Sequence, residues 1–416
     1  MRANLRKFIM RDKFICGLDI GSHSIKASII DPKLNQPPDL LGVYESPTHG
    51  FRRSSVSDLN ELTESIHTTI SELTKKTGLK LKEVQLGVGG QLVEHRRAQA
   101  VIPLLDRGNK VITFYDMKKV EIQARLLGAK MEEVILHVLP QCYKVDDVNI
   151  ALNPIGLYGR KLELDTFLVI IPNTVLKNLI KAVNQAGYEV GNIFFTSYAA
   201  SEVALTERKK REGCVLIDIG SEVTDILIFL DGQLKYFEKI PFSGDHVSRS
   251  LSNRLHLPFA LAEELKESYA NVSGPDQHNQ EEILIKREDH YVPIRKDEIS
   301  QAIQPEITQL VDSVKNSISK SNYFEHINKG MVMIGGGALL PGLPERIEQS
   351  VNIPIEVGKI QIPMKGLHNA AKFCSCVGLA YLGLATSKRS SSQNDGKYNW
   401  RSNLTNKMKE LYQEYF

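Results

Sequence analysis

The segment FICGLDIGSHSIKASII, residues 14–30, contains an apolar run, an Asp-Ile-Gly turn and a second apolar run. The segment CVLIDIGSEVTDILIF, residues 214–229, repeats this arrangement about 200 residues later. Short apolar runs that end at glycine are typical of buried strands. The repeat therefore predicts two similar α/β lobes, each with a strand–turn–strand unit at its centre.

The first Asp-x-Gly turn has the residue types of a phosphate-binding loop. Gly21 permits a tight turn, so successive N–H groups and the hydroxyls of Ser22 and Ser24 can face an anion. Lys26 lies on the return strand, within reach of a phosphate oxygen. Asp19 ends the first strand, where we expect its carboxylate to hold Mg²⁺ through a water molecule.

The second turn supplies Asp218, Gly220, Ser221 and Thr224 in the same context. A single Asp-x-Gly turn is weak support for a site, because most such turns only reverse the chain. Two of them, one in each lobe, predict a cleft that holds a triphosphate from both sides. Asp19 and Asp218 would then share the water shell of one Mg²⁺.

A third glycine-rich turn, Gly335-Gly336-Gly337, follows an apolar run and lets the backbone lie against a base or ribose. Glu263 and Lys266 are three residues apart on a predicted helix, so they share one face and are expected to bind the ribose or the adenine edge. By itself, a glutamate and a lysine at this spacing more often mark a solvated helix face. The presence of the three glycine loops favours the role in nucleotide binding.

Composition excludes several classes of protein. The chain has 416 residues, enough for two or three domains, with 42% apolar and 24% charged residues. A net charge of +3 gives no electrostatic case for nucleic acid as a partner. Five scattered cysteines fit a reducing compartment, and the basic N-terminus lacks the apolar region of a secretory signal. Neither a Walker A sequence nor a GxGxxG fingerprint occurs.

Apolar spacing after Ser57 predicts a helix that Ser57 caps and Gly78 ends. A second helix is expected at about 115–127, among the short strands of 84–165. The polar stretch 272–296 predicts a loop followed by an edge hairpin.

The last residues, 400–416, have an amphipathic pattern. Placed on a helix, one side carries an aromatic and aliphatic stripe bordered by two lysines, a pattern typical of helices at a membrane surface. Residues 387–399, SKRSSSQNDGKYN, predict a flexible linker before it. The alternative is a terminal helix that docks on its own domain or on a partner. The predicted membrane residues are Trp400, Leu404, Lys407, Met408, Lys409, Leu411, Tyr412, Tyr415 and Phe416.

Three motifs, DIGSHSIK, LIDIGSEVTDILIF and MIGGGALLPGL, resemble in order the two phosphate motifs and the adenosine motif of the actin/Hsp70/sugar-kinase superfamily. Within it, EVILHVLPQCYKVDD, NPIGLYGRKLELD, TSYAASEVALTERKKREG, IPFSGDHVSRSL and AEELK resemble segments of the bacterial cell-division family FtsA. The resemblance covers about residues 14–386 and the tail, and the order of its motifs is highly specific.

This resemblance implies an α/β, actin-like (ribonuclease-H-like) two-lobed ATPase fold with an FtsA-type inserted subdomain. The implied division is a basic extension 1–13; a first lobe 14–83, 164–198 and 361–386; the insert 84–163; a second lobe 199–243 and 311–360; its outer subdomain 244–310; the linker 387–399; and the membrane helix 400–416.

The resemblance also implies a function: an ATP- and Mg²⁺-binding protein that polymerises on the cytoplasmic face of the inner membrane at the division site. Its implied partners are other copies of itself, anionic lipid, the FtsZ C-terminal tail at about 244–310, and later division proteins at 84–163. Alternatives are a PilM-like pilus-assembly protein, which would lack the linker and tail, and an active kinase or chaperone ATPase of the same superfamily.

The second loop departs from the family pattern, in which glycines follow Gly220. Ser221 and Glu222 replace them, and Ser250 stands where the family often has Asp. Side chains restrict the approach of backbone to phosphate, and a carboxylate repels it, unless Glu222 points outward. We therefore expect nucleotide binding with at most slow ATP hydrolysis, and we assign no catalytic residue.

Overall fold

The computed structural model describes residues 14–33, 36–104, 110–150, 153–273, 281–287, 290–361 and 370–392. The predicted extension 1–13 and the predicted membrane helix 400–416 lie outside these ranges, as does part of the predicted linker, 393–399.

The strands are β1 (Ile15–Ile20), β2 (Ser24–Asp31), β3 (Asp39–Pro47), β4 (Phe51–Arg52), β5 (Ser55–Val56), β6 (Glu83–Val88), β7 (Glu94–Pro103), β8 (Lys110–Val111), β9 (Glu133–Val145), β10 (Val148–Ile150), β11 (Tyr158–Gly159), β12 (Lys161–Pro172), β13 (Glu189–Phe195), β14 (Cys214–Ile219), β15 (Thr224–Leu230), β16 (Gln233–Ile240), β17 (Glu282–Arg287), β18 (His290–Arg295), β19 (Met331–Ile334) and β20 (Ile355–Val357).

The helices are α1 (Leu59–Thr77), α2 (Phe114–Gly128), α3 (Asn173–Gln185), α4 (Thr196–Ala204), α5 (Glu207–Glu212), α6 (Gly244–Arg254), α7 (Phe259–Tyr269), α8 (Lys296–Lys320), α9 (Leu343–Val351) and α10 (Cys374–Ser392). Short 3-10 turns occur at Phe324–His326, Gly336–Leu339 and Ala370–Phe373.

The first lobe is built on a five-stranded sheet of order β13-β6-β1-β2-β3. Its helix α1 buries a stripe that includes Leu62, Ile66 and Ile70. The helix is capped by Asp58, whose carboxylate accepts two backbone N–H groups, so the prediction of a Ser57 cap is wrong by one residue. The predicted end is confirmed, because Gly78 adopts the left-handed conformation that stops the helix.

The second lobe repeats the design with a sheet of order β16-β15-β14-β19-β20. Helices α6, α7 and α8 form its outer part together with the β17–β18 hairpin. That hairpin lies within the stretch predicted to contain one. In both lobes the central strand, β1 or β14, runs antiparallel to the strand that follows it and parallel to a more distant strand.

Between β6 and β13 of the first lobe the chain forms a third unit, a four-stranded sheet of order β10-β9-β12-β7 covered by α2. It draws on Glu94–Pro172, several residues later than the predicted insert 84–163, because β6 belongs to the sheet of the first lobe. The unit contacts both lobes. His137 Nε2 accepts the Phe195 N–H at 2.9 Å, and the Gln141 amide donates to the Leu234 carbonyl at 3.0 Å.

The last described helix, α10, packs against β1 and α4 in the first lobe. Gly17 is required at this contact, because a Cβ there would lie 2.0 Å from the Cys376 carbonyl oxygen. The helix continues to Ser392 and so includes the first six residues of the predicted linker, 387–392. Among the described residues, none of the helices has the length and apolar character needed to span a membrane.

Candidate functional site

The first Asp-x-Gly loop joins β1 to β2 by a tight reversal. The Gly21 N–H donates to the Ser24 carbonyl at 3.1 Å, and Asp19 lies opposite Lys26 in the strand register. The Ser375 hydroxyl donates to Asp19 Oδ2 at 2.5 Å and fixes the carboxylate at the strand end. This geometry places a cation and a carboxylate together at the mouth of the loop.

The second loop has the same backbone. The Gly220 N–H donates to the Val223 carbonyl at 3.0 Å, and Asp218 lies opposite Asp225 in the register of β14 and β15. Asp225 therefore occupies the position that Lys26 has in the first loop. The internal repeat that the sequence predicts is thus a repeat of loop geometry, with different charges.

The two loops and the glycine turn meet around one cavity of about 500 Å³. It is lined by Asp19, Gly21, Ser22, Ser24, Lys26, Asp218, Gly220, Ser221, Glu263, Lys266, Gly335, Gly336 and Gly337, all of which the sequence predicts as nucleotide contacts.

Thr224 is the exception among the predicted contacts. It is fully buried, and its hydroxyl donates to the Phe242 carbonyl at 2.8 Å instead of facing the cavity. The physical reason is strand alternation: successive side chains of β15 point to opposite faces, so Thr224 and Asp225 cannot both face the cavity. Asp225 is the one that lines it.

Asp218 has an unusual electrostatic environment. Burial, the neighbouring Asp225 and, to a smaller extent, Asp19 raise the pKa of Asp218 to about 7. Asp225 accepts a hydrogen bond from Ser197 at 2.7 Å, while its other oxygen has no hydrogen-bond partner in the described residues and lies 3.5 Å from Lys239 Nζ. A carboxylate cluster with an unsatisfied oxygen fits a hard cation such as Mg²⁺, which prefers oxygen ligands and bound water.

Sequence reasoning identified Lys26 but missed Glu45 and Lys372, which line the cavity beside it. Lys26 and Lys372 both lie against Glu45, at 3.9 and 2.6 Å, and Ser24 donates to the same carboxylate at 2.7 Å. Burial acts to raise the pKa of Glu45, but the two lysines and the hydroxyl outweigh it and hold that pKa below its usual value. Glu45 and Lys372 are separated by more than 300 residues, so no local pattern connects them.

On the side predicted for adenosine, Glu263 and Lys266 form an ion pair of 2.7 Å, and Ser248 donates to Glu263. His23 reaches across from the first loop, with its two ring nitrogens 3.8 Å from Glu263 and 3.7 Å from Glu267. Each ring nitrogen of His23 therefore faces a different carboxylate of the second lobe.

The glycine turn depends on the absence of side chains. Gly335 has φ +85°, and a Cβ there would lie 2.4 Å from the Ile219 carbonyl oxygen. A Cβ on Gly337 would lie 2.2 Å from the Ile219 side chain. These close approaches let the turn lie directly against the second loop.

Glu222 does not point outward. Its carboxylate accepts the backbone N–H of Arg53 at 2.7 Å, although Arg53 belongs to the first lobe. The residue lines both the cavity described above and a neighbouring cavity of about 820 Å³. The substitution that distinguishes the second loop from the family pattern therefore makes a contact between the lobes.

Two lobes of one design around a shared cleft define the actin-like ATPase fold, here with a third unit inserted in the first half of the chain. The fold is similar to that of the PilM–PilN type IV pilus biogenesis complex, with a TM-score of 0.65, 18% identity, and 89% of this chain and 98% of that chain covered. It is also similar to MreB5 of Spiroplasma citri bound to ADP, with a TM-score of 0.54, 13% identity, and coverage of 91% and 98%.

Two family models give the closer assignment. The model for cell division protein FtsA matches residues 215–378, and the model for the SHS2 domain inserted in FtsA matches residues 90–170. The cell division protein FtsA of Buchnera aphidicola is 28% identical over 393 residues, which cover 90% of this chain and 92% of that protein. The chain belongs to the FtsA family of cell-division proteins. PilM shares the fold, whereas the match to both FtsA models places this chain in the division family.

Proposed function

We propose that this chain binds ATP with Mg²⁺ in the cleft between its lobes and uses the nucleotide to control its own polymerisation. The proposal is carried by two loops that have the same backbone geometry and face a common cavity. The first loop contributes Lys26, and the second contributes Asp218 and Asp225. A triphosphate and its metal need both kinds of charge within a few ångströms.

In this proposal the first loop holds the phosphates. The backbone N–H groups around Ser22, the serine hydroxyls and Lys26 would bind phosphate oxygens, and Lys372 would be available once a phosphate competes for it with Glu45. Asp19 and Asp218 would hold Mg²⁺ through water, with Asp225 beside them. The metal, when bound, neutralises charge on the phosphates.

The base and ribose would lie against the turn Gly335–Gly337, with Glu263 and Lys266 on the ribose hydroxyls or the adenine edge. We assign no general base. The half-buried Asp218 and the buried Asp225 form one cluster suited to a cation, and Glu222 accepts a hydrogen bond from the backbone of Arg53. Nucleotide-controlled assembly with slow turnover at most is the function that this arrangement supports best.

We further propose that the polymer forms on the cytoplasmic face of the inner membrane at the division site. The helix 400–416 would bind anionic lipid through its apolar stripe and flanking lysines. The outer part of the second lobe, 244–310, would bind the FtsZ C-terminal tail, and the inserted unit would recruit later division proteins. A single short helix binds lipid weakly, so polymerisation would strengthen attachment through avidity.

The test is co-pelleting of the full chain with anionic liposomes and a peptide of the FtsZ C-terminal tail, with and without Mg-ATP. We expect both the chain and the peptide to pellet, with more protein in the pellet when Mg-ATP is present. Two variants that each add one negative charge test whether the apolar face of helix 400–416 is the face that binds the membrane. Leu411→Glu, in the stripe, should reduce pelleting at least fivefold, and Gln413→Glu, on the far face, should leave it within twofold.

Equal pelleting of the two variants would contradict the membrane helix. Failure of the peptide to pellet with the membrane-bound chain would contradict the proposed partner. A PilM-like role predicts that the chain stays in the supernatant under every condition.

A further inference from the structure

Glu222 and His23 occupy equivalent places in the two loops, because each lies two residues after the glycine of its Asp-x-Gly turn. Both side chains cross the cleft. His23 leaves the first lobe and meets Glu263 and Glu267 of the second, while Glu222 leaves the second lobe and meets Arg53 of the first. Each loop therefore contacts the opposite lobe, and the two contacts together connect the lobes across the cleft.

The Glu222 contact is made with a fixed group. Arg53 and Ser54 form the two-residue turn between β4 and β5, and both have positive φ, 51° and 59°, which residues other than glycine rarely adopt. Ser54 is 2% exposed, and its hydroxyl oxygen accepts the Gln91 N–H at 2.7 Å. This hydrogen bond holds the turn in place, so the Arg53 N–H is presented to the cleft in a defined direction.

Glu222 is also anchored on its own side. The Ser221 carbonyl accepts the Asp245 N–H at 2.8 Å and a hydrogen bond from the Ser243 hydroxyl. The loop is thereby tied to the start of α6, within the second lobe. The hydrogen bond between Glu222 and Arg53 thus joins two rigid parts, and opening of the cleft must break it.

The carboxylate is held without an opposite charge. In the described part of the chain Glu222 forms no ion pair with Lys, Arg or His, and its second oxygen is buried without a hydrogen-bond partner. Its neighbours include other acids: burial, Glu263 and Glu222 together raise the pKa of Asp245. Lys266 and Arg249 act in the opposite direction on Asp245, but an anion that enters the cleft beside this loop still meets a carboxylate that forms no ion pair in the described residues.

We propose that Glu222 is a positioning residue that closes the cleft in the absence of nucleotide, because the protein's own carboxylate joins the lobes at the second phosphate loop. Two consequences follow. The closed arrangement of the cleft does not require a nucleotide. A triphosphate binds more weakly than it would without this charge. The second consequence rests on the proposed nucleotide function, whereas the first does not.

The direct reporter is the Arg53 amide, whose hydrogen exchange is measured by mass spectrometry on peptides that span residues 51–56 of the nucleotide-free chain. The wild type should protect this amide. Glu222→Gly and Glu222→Ala remove the acceptor and should speed its exchange at least tenfold. Glu222→Gln keeps an oxygen acceptor without the charge and should stay within threefold of the wild type.

Glu264→Gln is the matched control, because it changes an exposed acid in α7 that lines neither cavity. It should leave exchange at 51–56 unchanged. Unchanged exchange in both Glu222→Gly and Glu222→Ala, with far-ultraviolet circular dichroism like the wild type, would overturn the proposal. Loss of protection in Glu222→Gln equal to that in Glu222→Gly would overturn it as well, because the contact would then not be a hydrogen bond to the side-chain oxygen.

Titration with Mg-ATP tests the second consequence. Glu222→Gln should bind about tenfold more tightly than the wild type, and Glu264→Gln should match the wild type. Equal affinity of Glu222→Gln and the wild type would overturn the electrostatic effect of Glu222. If neither the wild type nor any variant binds nucleotide, the proposed nucleotide function fails, while the Arg53 exchange still decides whether Glu222 closes the cleft.

Discussion

In the first loop Asp19 lies opposite Lys26, whereas in the second loop Asp218 lies opposite Asp225. The turn that joins the strands is the same in both loops, because in each the glycine N–H donates a hydrogen bond to the carbonyl three residues later. The loops therefore differ in their side chains, above all in the charges that face the cavity. In the proposed function, one turn geometry repeated in two lobes therefore has two roles, with phosphate at the first loop and a cation at the second.

The pKa of Asp218 measures this difference. Like charges close together cannot both ionise freely, so Asp225 adds to the effect of burial and raises the pKa of Asp218 to about 7. No comparable repulsion acts within the first loop, where the opposing residue is a lysine. A metal ion in the second loop would restore the balance and favour the ionised form of Asp218.

The largest effect is expected from Asp218→Asn. The amide cannot replace a carboxylate that holds the water shell of Mg²⁺, so the affinity for Mg-ATP should fall more than 100-fold in isothermal titration. Asp31→Asn, a change of the same kind at the far end of β2, serves as the control and should match the wild type. An affinity of Asp218→Asn within threefold of the wild type would show that the second loop does not bind the metal.

The same variant should change the pH dependence of stability in the nucleotide-free chain. The pKa of Asp218 is raised in the folded state, so between about pH 4 and pH 7 the folded chain keeps a proton that the unfolded chain has lost, and stability falls as the pH rises through this window. Asp218→Asn has no proton to lose in this window, so its unfolding free energy at pH 8 should exceed that of the wild type by roughly 2–4 kcal/mol. Urea unfolding at pH 4 and pH 8 measures the difference, which should vanish at pH 4.

A smaller effect is expected from Lys26→Met, which keeps the length of the side chain and removes its charge. The affinity for Mg-ATP should fall about 10- to 30-fold, and its dependence on salt should weaken, because one phosphate contact is lost. Lys76→Met, on an exposed part of α1, should change neither quantity. If Lys26→Met binds as well as the wild type at low salt, the two loops do not divide their roles by charge.

The smallest effect on ligand binding is expected from Thr224→Val. The Thr224 hydroxyl is bonded to the Phe242 carbonyl, so its loss should cost about 1 kcal/mol of unfolding free energy and change Mg-ATP affinity less than twofold. Thr224→Ser keeps the hydroxyl and removes only the methyl group, so it should keep this hydrogen bond. A tenfold loss of Mg-ATP affinity in Thr224→Val would show that Thr224 contributes to nucleotide binding after all.

Much of the site could be predicted because its parts are local. Glycines at 21, 220 and 335–337 mark turns that only small residues permit, and aspartates at strand ends mark the loops. The sequence did not show which side chain of β15 faces the cavity, since Thr224 and Asp225 are adjacent and the choice depends on what covers each face of the sheet. The cap of α1 was misplaced by one residue for a similar reason, because Ser57 and Asp58 are both good caps.

By itself, the sequence determined the repeated strand–turn–strand units, the order of the motifs and therefore the actin-like fold, because these depend on apolar periodicity and on backbone freedom at glycine. Only the tertiary structure decided which charges meet. Lys372 reaches Glu45, Ser375 reaches Asp19, and Glu222 reaches Arg53, each across more than 150 residues of chain. Electrostatic energies depend on distance in space, and the folded lobes set that distance.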